Sequence, residues 1–153
     1  VPARTACDLL PETVERLAEN PRVVGIKDAT GRIDRAREIL ERCGDDFLVL
    51  SGDDATCREW LLAGAQGVVS VTANLAPRLM REMAEAALEG DAARAAGVDG
   101  LLADLHRDLF VESNPIAVKW GLSRLGLIPP GIRLPLTPLG AAGQGAVQAA
   151  MAR

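Results

Sequence analysis

The sequence predicts an α/β fold in which three β/α units carry a parallel sheet and an all-helical segment follows. Three observations predict it. Apolar runs at residues 23–27, 47–51 and 67–72 recur roughly twenty to twenty-five residues apart, a segment of helical period follows each run, and the strand signal stops after Gly90-Asp91. Strands that alternate with helices need right-handed crossovers and give parallel pairing. The expected division is residues 1–90 for the β/α part and 91–153 for a helical domain.

Along the chain, Val14, Leu17 and Ala18 share one face of a short helix over 11–20, with Pro11 suited to the first turn and Pro21 just past the end. Val23-Val24-Gly25-Ile26-Lys27 is a continuous apolar run closed by one cation, the profile of a strand buried on both faces. Asp28-Ala29-Thr30-Gly31 is turn chemistry. Ile33, Ala36, Ile39 and Leu40 predict a helix that Gly44 closes. Residues 47–51 form the second strand, Gly52-Asp53-Asp54 a turn, and 55–63 a helix ended by Gly64. Residues 67–72 form the third strand and about 77–88 its helix. Further helices are expected near 91–109, 115–125 and 143–151, with a proline-rich connector over 128–138. Three strands alone leave sheet edges open, which nothing in the composition blunts.

Composition narrows the function classes. Seventeen Lys and Arg stand against 21 Asp and Glu, a net charge of −4, which argues against a nucleic-acid or anionic-membrane surface. With 48% apolar residues the chain can build a core, and no run nears the roughly 20 residues needed to span a bilayer. Cys7, Cys43 and Cys57 include no C-x-x-C pair, so neither a disulfide framework nor a thiolate metal site is expected, and the compartment reads as reducing and cytoplasmic. Val1-Pro2-Ala3-Arg4 begins abruptly and tyrosine is absent, so the chain is expected to be a fragment.

Among 17 basic residues only Lys27 and Lys119 are lysines. A lysine amine can lose its proton and add to a carbonyl as a Schiff base, which arginine cannot do. At its ordinary pKa of about 10.4 only about 0.1% of lysine is neutral near pH 7.4, and an apolar enclosure raises that fraction. Lys27 at the end of an apolar strand suits this, with Val23, Gly25 and Lys27 on one face and Gly25 making room beside the amine. A structural ion pair with Asp28 or another acid is the competing reading of the same pattern. Asp53-Asp54 reads as a helix cap rather than a metal pair. His106, beside Arg107 and Asp108, reads as a surface histidine, Lys119 as structural packing, and Asn114-Pro115 as cap and first turn of a helix.

Gly25-Ile26-Lys27-Asp28-Ala29-Thr30-Gly31 resembles the Schiff-base lysine signature of the pyruvate-dependent class I aldolase superfamily, which includes dihydrodipicolinate synthase and N-acetylneuraminate lyase. Val1-Pro2-Ala3-Arg4-Thr5-Ala6, Leu50-Ser51-Gly52-Asp53-Asp54, Gly67-Val68-Val69-Ser70-Val71-Thr72-Ala73-Asn74 and Val111-Glu112-Ser113-Asn114-Pro115-Ile116 with Val118-Lys119 match further landmarks in order. By this resemblance the chain is identified as a member of the dihydrodipicolinate synthase branch, its C-terminal half. The resemblance implies the C-terminal part of a TIM (β/α)8 barrel followed by a small helical domain. It implies that Lys27 forms an imine with pyruvate and that L-aspartate 4-semialdehyde is the second substrate. Arg4 would bind the semialdehyde carboxylate, and Gly52 and the carbonyl of Val69 would line the pyruvate pocket. No cofactor or metal is implied beyond the covalent imine, and the implied assembly is a homotetramer in the cytoplasm.

In the same family a proton relay of tyrosines and a threonine comes from the other half, so the isolated chain is expected to be poorly active or inactive. Ser113 and Ala117 depart from the family's more proline-rich pattern. Two alternatives stand beside this reading. One is a sibling lyase acting on N-acetylneuraminate or 2-keto-3-deoxygluconate, against which Arg4 weighs. The other is a non-catalytic half-barrel, against which the retained Lys27 weighs.

Overall fold

The computed structural model describes residues 1–152. Its elements run α1 (Pro2–Thr5), α2 (Pro11–Ala18), β1 (Gly25–Asp28), α3 (Ile33–Cys43), β2 (Leu48–Ser51), α4 (Cys57–Leu62), β3 (Gly67–Val68), a 3-10 turn (Thr72–Asn74), α5 (Pro77–Leu88), α6 (Ala92–Asp108), α7 (Ile116–Arg124) and α8 (Ala141–Met151). The architecture is α/β, and all strand pairing is parallel in the order β1-β2-β3. The register aligns Gly25 with Leu48, Lys27 with Leu50 and Leu50 with Gly67. The chain divides into two compact units, one of Val1–Ser70 with Met83–Ala96, the other of Val71–Glu82 with the chain from Gly97 onward.

In the first unit, one face of the sheet packs on helices because alternation gathers its apolar side chains there. Ile26 and Val49 point into a cluster with Val14 of α2, Ala36 and Ile39 of α3, Phe47, Trp60 of α4 and Ala65. Each such aliphatic side chain, fully buried, contributes on the order of 1.5–3 kcal/mol. The opposite face carries Gly25, Lys27, Leu48 and Leu50. The sequence predicts strands buried on both faces; in the described residues Lys27 and Leu48 on this second face are exposed, because no second layer covers it. The helices on one face account for the apolar runs only in part.

Several boundaries differ from expectation: β1 begins at Gly25 rather than 23, α4 covers only Cys57–Leu62, and α8 starts at Ala141. β1 runs through Asp28, whose carbonyl accepts the Gly52 amide at 2.7 Å, so the ladder continues one residue past the predicted end. The third strand is shorter than 67–72: Val69 still donates to the Ser51 carbonyl at 2.8 Å, but Val71 has helical dihedrals and leads into the 3-10 turn. β-branched residues raised the strand reading there, and local turn geometry overrode it. α1 was not expected; Pro2 in its first turn is its only conventional start signal.

In the second unit, α7 packs against α8, and Leu75 lies so close over Gly121 that a Cβ at 121 would stand 2.8 Å from Leu75 Cδ1. Ile116, Ala117, Val118, Val147 and Ala150 are buried there, as are Leu102 and Leu105 of α6 and Leu109 just past its end. No helix among the described residues is long and apolar enough to cross a membrane.

Candidate active site

β1 ends on Lys27-Asp28, and the pleat sends these neighbours to opposite faces. Asp28, only 4% exposed, turns toward the helices. Its Oδ1 accepts the Thr30 amide at 2.7 Å and the Thr30 hydroxyl at 2.6 Å, and its Oδ2 accepts Arg35 Nε at 2.6 Å. Arg35, equally buried on α3, also donates to Asp8 Oδ2 at 3.0 Å and to the Leu9 carbonyl. One guanidinium thus ties the end of β1, the start of α3 and the loop ahead of α2. Burial alone would push the Asp28 carboxyl up, but the Thr30 hydrogen bonds and the Arg35 charge outweigh it and hold the acid below the usual carboxylate range.

Asp28 is therefore engaged on the far side of the strand from Lys27. None of the ion pairs among the described residues involves Lys27. Its alkyl chain instead crosses directly over Gly52, the first residue after β2. A Cβ built on residue 52 would stand 2.1 Å from Lys27 Cε, 2.8 Å from Cδ and 2.9 Å from Nζ. Gly52 is thus the residue that makes room for the lysine, and the expectation for Gly25 is corrected. A Cβ at 25 would meet the Leu48 carbonyl oxygen at 2.4 Å and Leu48 Cβ at 2.7 Å, so that glycine serves the close approach of β1 to β2.

Lys27 also lines a cavity of about 320 Å³ along the open edge of β1, together with Val1, Pro2 and Thr5 at the first helix and Cys7 and Asp8 after it. Arg4 lies in the last turn of α1, exposed and outside the cavity lining. Val69 sits just past β3 and is 52% exposed. The structure thus brings Lys27 onto Gly52 and sets the α1 segment beside the same cavity, while neither Arg4 nor Val69 lines it. The apolar enclosure expected around the amine is not built by these residues, since Lys27 is exposed.

The loops at the carboxyl ends of the strands are stiffened by short polar side chains. Asp53 Oδ2 accepts the Thr56 amide at 3.1 Å and the Thr56 hydroxyl at 2.8 Å, organising the turn that enters α4, so its role is structural, one turn ahead of the helix. Gly31, at φ +71°, places its backbone against this Asp53 carboxylate, where a side chain would be strained. Among the described residues no group of three His, Cys, Asp or Glu side chains is placed to hold a metal.

Several sequence expectations outside this site change. His106 is buried, not superficial: its Nδ1 lies 2.9 Å from Thr72 Oγ1 and its Nε2 3.4 Å from Asp99 Oδ1. The charged neighbours misled, because His106 is four residues after Leu102 on α6 and three before Leu109 just past the helix end, and shares their buried stripe. Pro115 is the N-cap of α7 rather than its first-turn residue, no side chain caps that helix, and the Asn114-Pro115 peptide is cis. The Asp28–Arg35–Asp8 linkage was not foreseen. Asp28 and Thr30 were legible as a turn, but nothing in one sequence marks Arg35 among 15 arginines.

Comparison with known proteins bears on this geometry. A family described as "Dihydrodipicolinate synthetase family" matches residues 1–153. The 4-hydroxy-tetrahydrodipicolinate synthase of Alcanivorax borkumensis is 61% identical over 144 residues, covering 94% of this chain and 49% of that protein. The enzyme of that name from Pseudomonas aeruginosa is 60% identical over 137 residues, covering 90% and 47%. Among solved structures, the chloride-inhibited dihydrodipicolinate synthase from Acinetobacter baumannii complexed with pyruvate superposes with a TM-score of 0.97 at 47% identity, covering 99% of this chain and 52% of that one. Dihydrodipicolinate synthase from Aquifex aeolicus gives 0.96 at 38% identity, with 99% and 52% covered. The chain spans about half the length of the curated relatives it matches.

Proposed function

Because the chain belongs to the dihydrodipicolinate synthetase family, we propose that the protein carrying it condenses pyruvate with L-aspartate 4-semialdehyde through a Schiff base on Lys27. The observation that carries this reading is the placement of the Lys27 side chain across Gly52, beside the 320 Å³ cavity and apart from any ion pair among the described residues. A lysine held for structure would face an acid; this one faces open space at the carboxyl end of a parallel sheet, where α/β enzymes hold their substrates.

The Lys27 amine adds to the keto carbon of pyruvate and water leaves, giving a protonated imine. That cation withdraws electrons from the adjacent methyl group, which loses a proton to give an enamine. The enamine carbon bonds to the semialdehyde's carbonyl carbon, whose oxygen takes up a proton. The substrate's own amine then adds to the imine carbon and displaces Lys27, closing the ring to 4-hydroxy-tetrahydrodipicolinate. The protonated imine is the electron sink, so the sequence of steps calls for no metal or organic cofactor. Arg4, a planar forked donor on exposed α1, takes the semialdehyde carboxylate. Gly52 and the Val69 carbonyl line the ketoacid's pocket.

The remainder of a (β/α)8 barrel closes over the exposed face of Lys27 and supplies the dry enclosure and the proton relay. Without an acid and base for carbinolamine dehydration, the 153-residue chain alone loses about 10²–10⁴-fold at each proton transfer and is poorly active. The protein is cytoplasmic and assembles as a homotetramer in this reading. The test is a substrate panel on the protein carrying this chain: pyruvate with L-aspartate 4-semialdehyde is consumed, while N-acetylneuraminate and 2-keto-3-deoxygluconate are not cleaved. Cleavage of either sugar acid with no consumption of the semialdehyde would replace this reading with the sibling lyase.

A further inference from the structure

The second lysine of the chain lies in the second unit and lines a separate cavity of about 320 Å³ between α7 and the connector that follows it. That volume falls within the usual range for small-molecule sites. Its walls are mainly apolar, built from Ile116 and Trp120 of α7, Ile132 of the connector and Leu139 ahead of α8, and the Thr137 hydroxyl adds a polar group. Arg124 lies 5.9 Å from the Trp120 ring centroid and steadies the indole by a cation–π contact. Lys119 is half-buried at this wall, and no ion pair among the described residues neutralises it.

An unneutralised ammonium set among aromatic and aliphatic walls is complementary to an anion with an apolar body. A dianionic phosphate would be costly to desolvate against such walls, with one cation to compensate it. A carboxylate carries a single charge that one compact ammonium can match, and the Thr137 hydroxyl can donate to its second oxygen. We propose that this cavity binds a small aromatic carboxylate, its anion on Lys119 Nζ and its ring against Trp120. The site is independent of the Lys27 chemistry, and its ligand needs no carbonyl.

The probe is 3-phenylpropionate, titrated calorimetrically into the protein carrying this chain in a Lys27→Ala background, which removes imine chemistry. Saturable binding with one site per chain is expected, weakened at least tenfold by Lys119→Met. The neutral isostere 3-phenylpropanol should bind the Lys27→Ala protein at least tenfold more weakly than the acid, a comparison that stands even if the Lys119 variant fails to fold. No saturable binding, equal affinity for acid and alcohol, or undiminished binding by a folded Lys119→Met variant would each overturn the proposal.

Discussion

Replacing Gly52 with alanine tests the placement of the reactive amine with the least disturbance elsewhere. The new methyl would stand 2.1 Å from Lys27 Cε. Two non-bonded carbons settle at about 3.5–4.0 Å, so the lysine chain must move by about 1.5 Å. It can do so, because the colliding atoms are the far end of a flexible side chain and no backbone blocks the way. The fold should therefore keep its stability to within about 1 kcal/mol. Reaction at the amine should not survive as well, since a displacement of about 1 Å in a reacting group costs on the order of 10²-fold. The assay is the rate at which borohydride traps pyruvate on Lys27, read by intact mass, with urea unfolding run alongside. Trapping at the parental rate in a folded Gly52→Ala protein would refute the inference that Lys27 reacts from its position across residue 52.

Gly25→Ala should behave in the opposite way, costing stability rather than chemistry: its methyl meets the Leu48 carbonyl oxygen at 2.4 Å, a backbone atom that cannot step aside, and overpacking of this kind costs about 1–3 kcal/mol, seen as a lower urea midpoint. Arg35→Met leaves the buried Asp28 carboxylate without its guanidinium and should cost about 3–5 kcal/mol, with partial recovery in the Asp28→Asn, Arg35→Met double variant. The pH dependence of Asp28 has a definite sign. Because its folded pKa is depressed, its contribution is present above the unfolded value of about 3.9 and is lost as pH falls through the lower folded value. Unfolding free energies measured from pH 6 down to pH 3 should fall less steeply in Asp28→Asn than in the parent.

Much of the fold was legible because the period of the apolar residues changes along the chain. The runs at 23–27 and 47–51 and the helical spacing of Ile33, Ala36 and Ile39 gave the parallel β/α units, and the parallel sheet has that order. What failed depends on neighbours that one sequence does not name. Lys27 was legible as a chemically unusual cation, but its contact with Gly52 arises from the β1-β2 register, a pairing fixed by backbone hydrogen bonds and helix packing. Gly25 was read as room for the lysine when its lost Cβ answers to Leu48 on the adjacent strand. His106 was placed by the charges beside it, while helical period puts it on the buried stripe with Leu102 and Leu109. The Thr72 hydroxyl that meets it is 34 residues away in sequence.

The most direct test of the account is pyruvate trapping with borohydride on the protein carrying this chain, followed by peptide mapping. A single adduct is expected, on the peptide holding Lys27, lost in Lys27→Ala and undiminished in Lys119→Met. No adduct, or one that persists on another residue when Lys27 is replaced, would contradict the assignment of Lys27 as the Schiff-base amine.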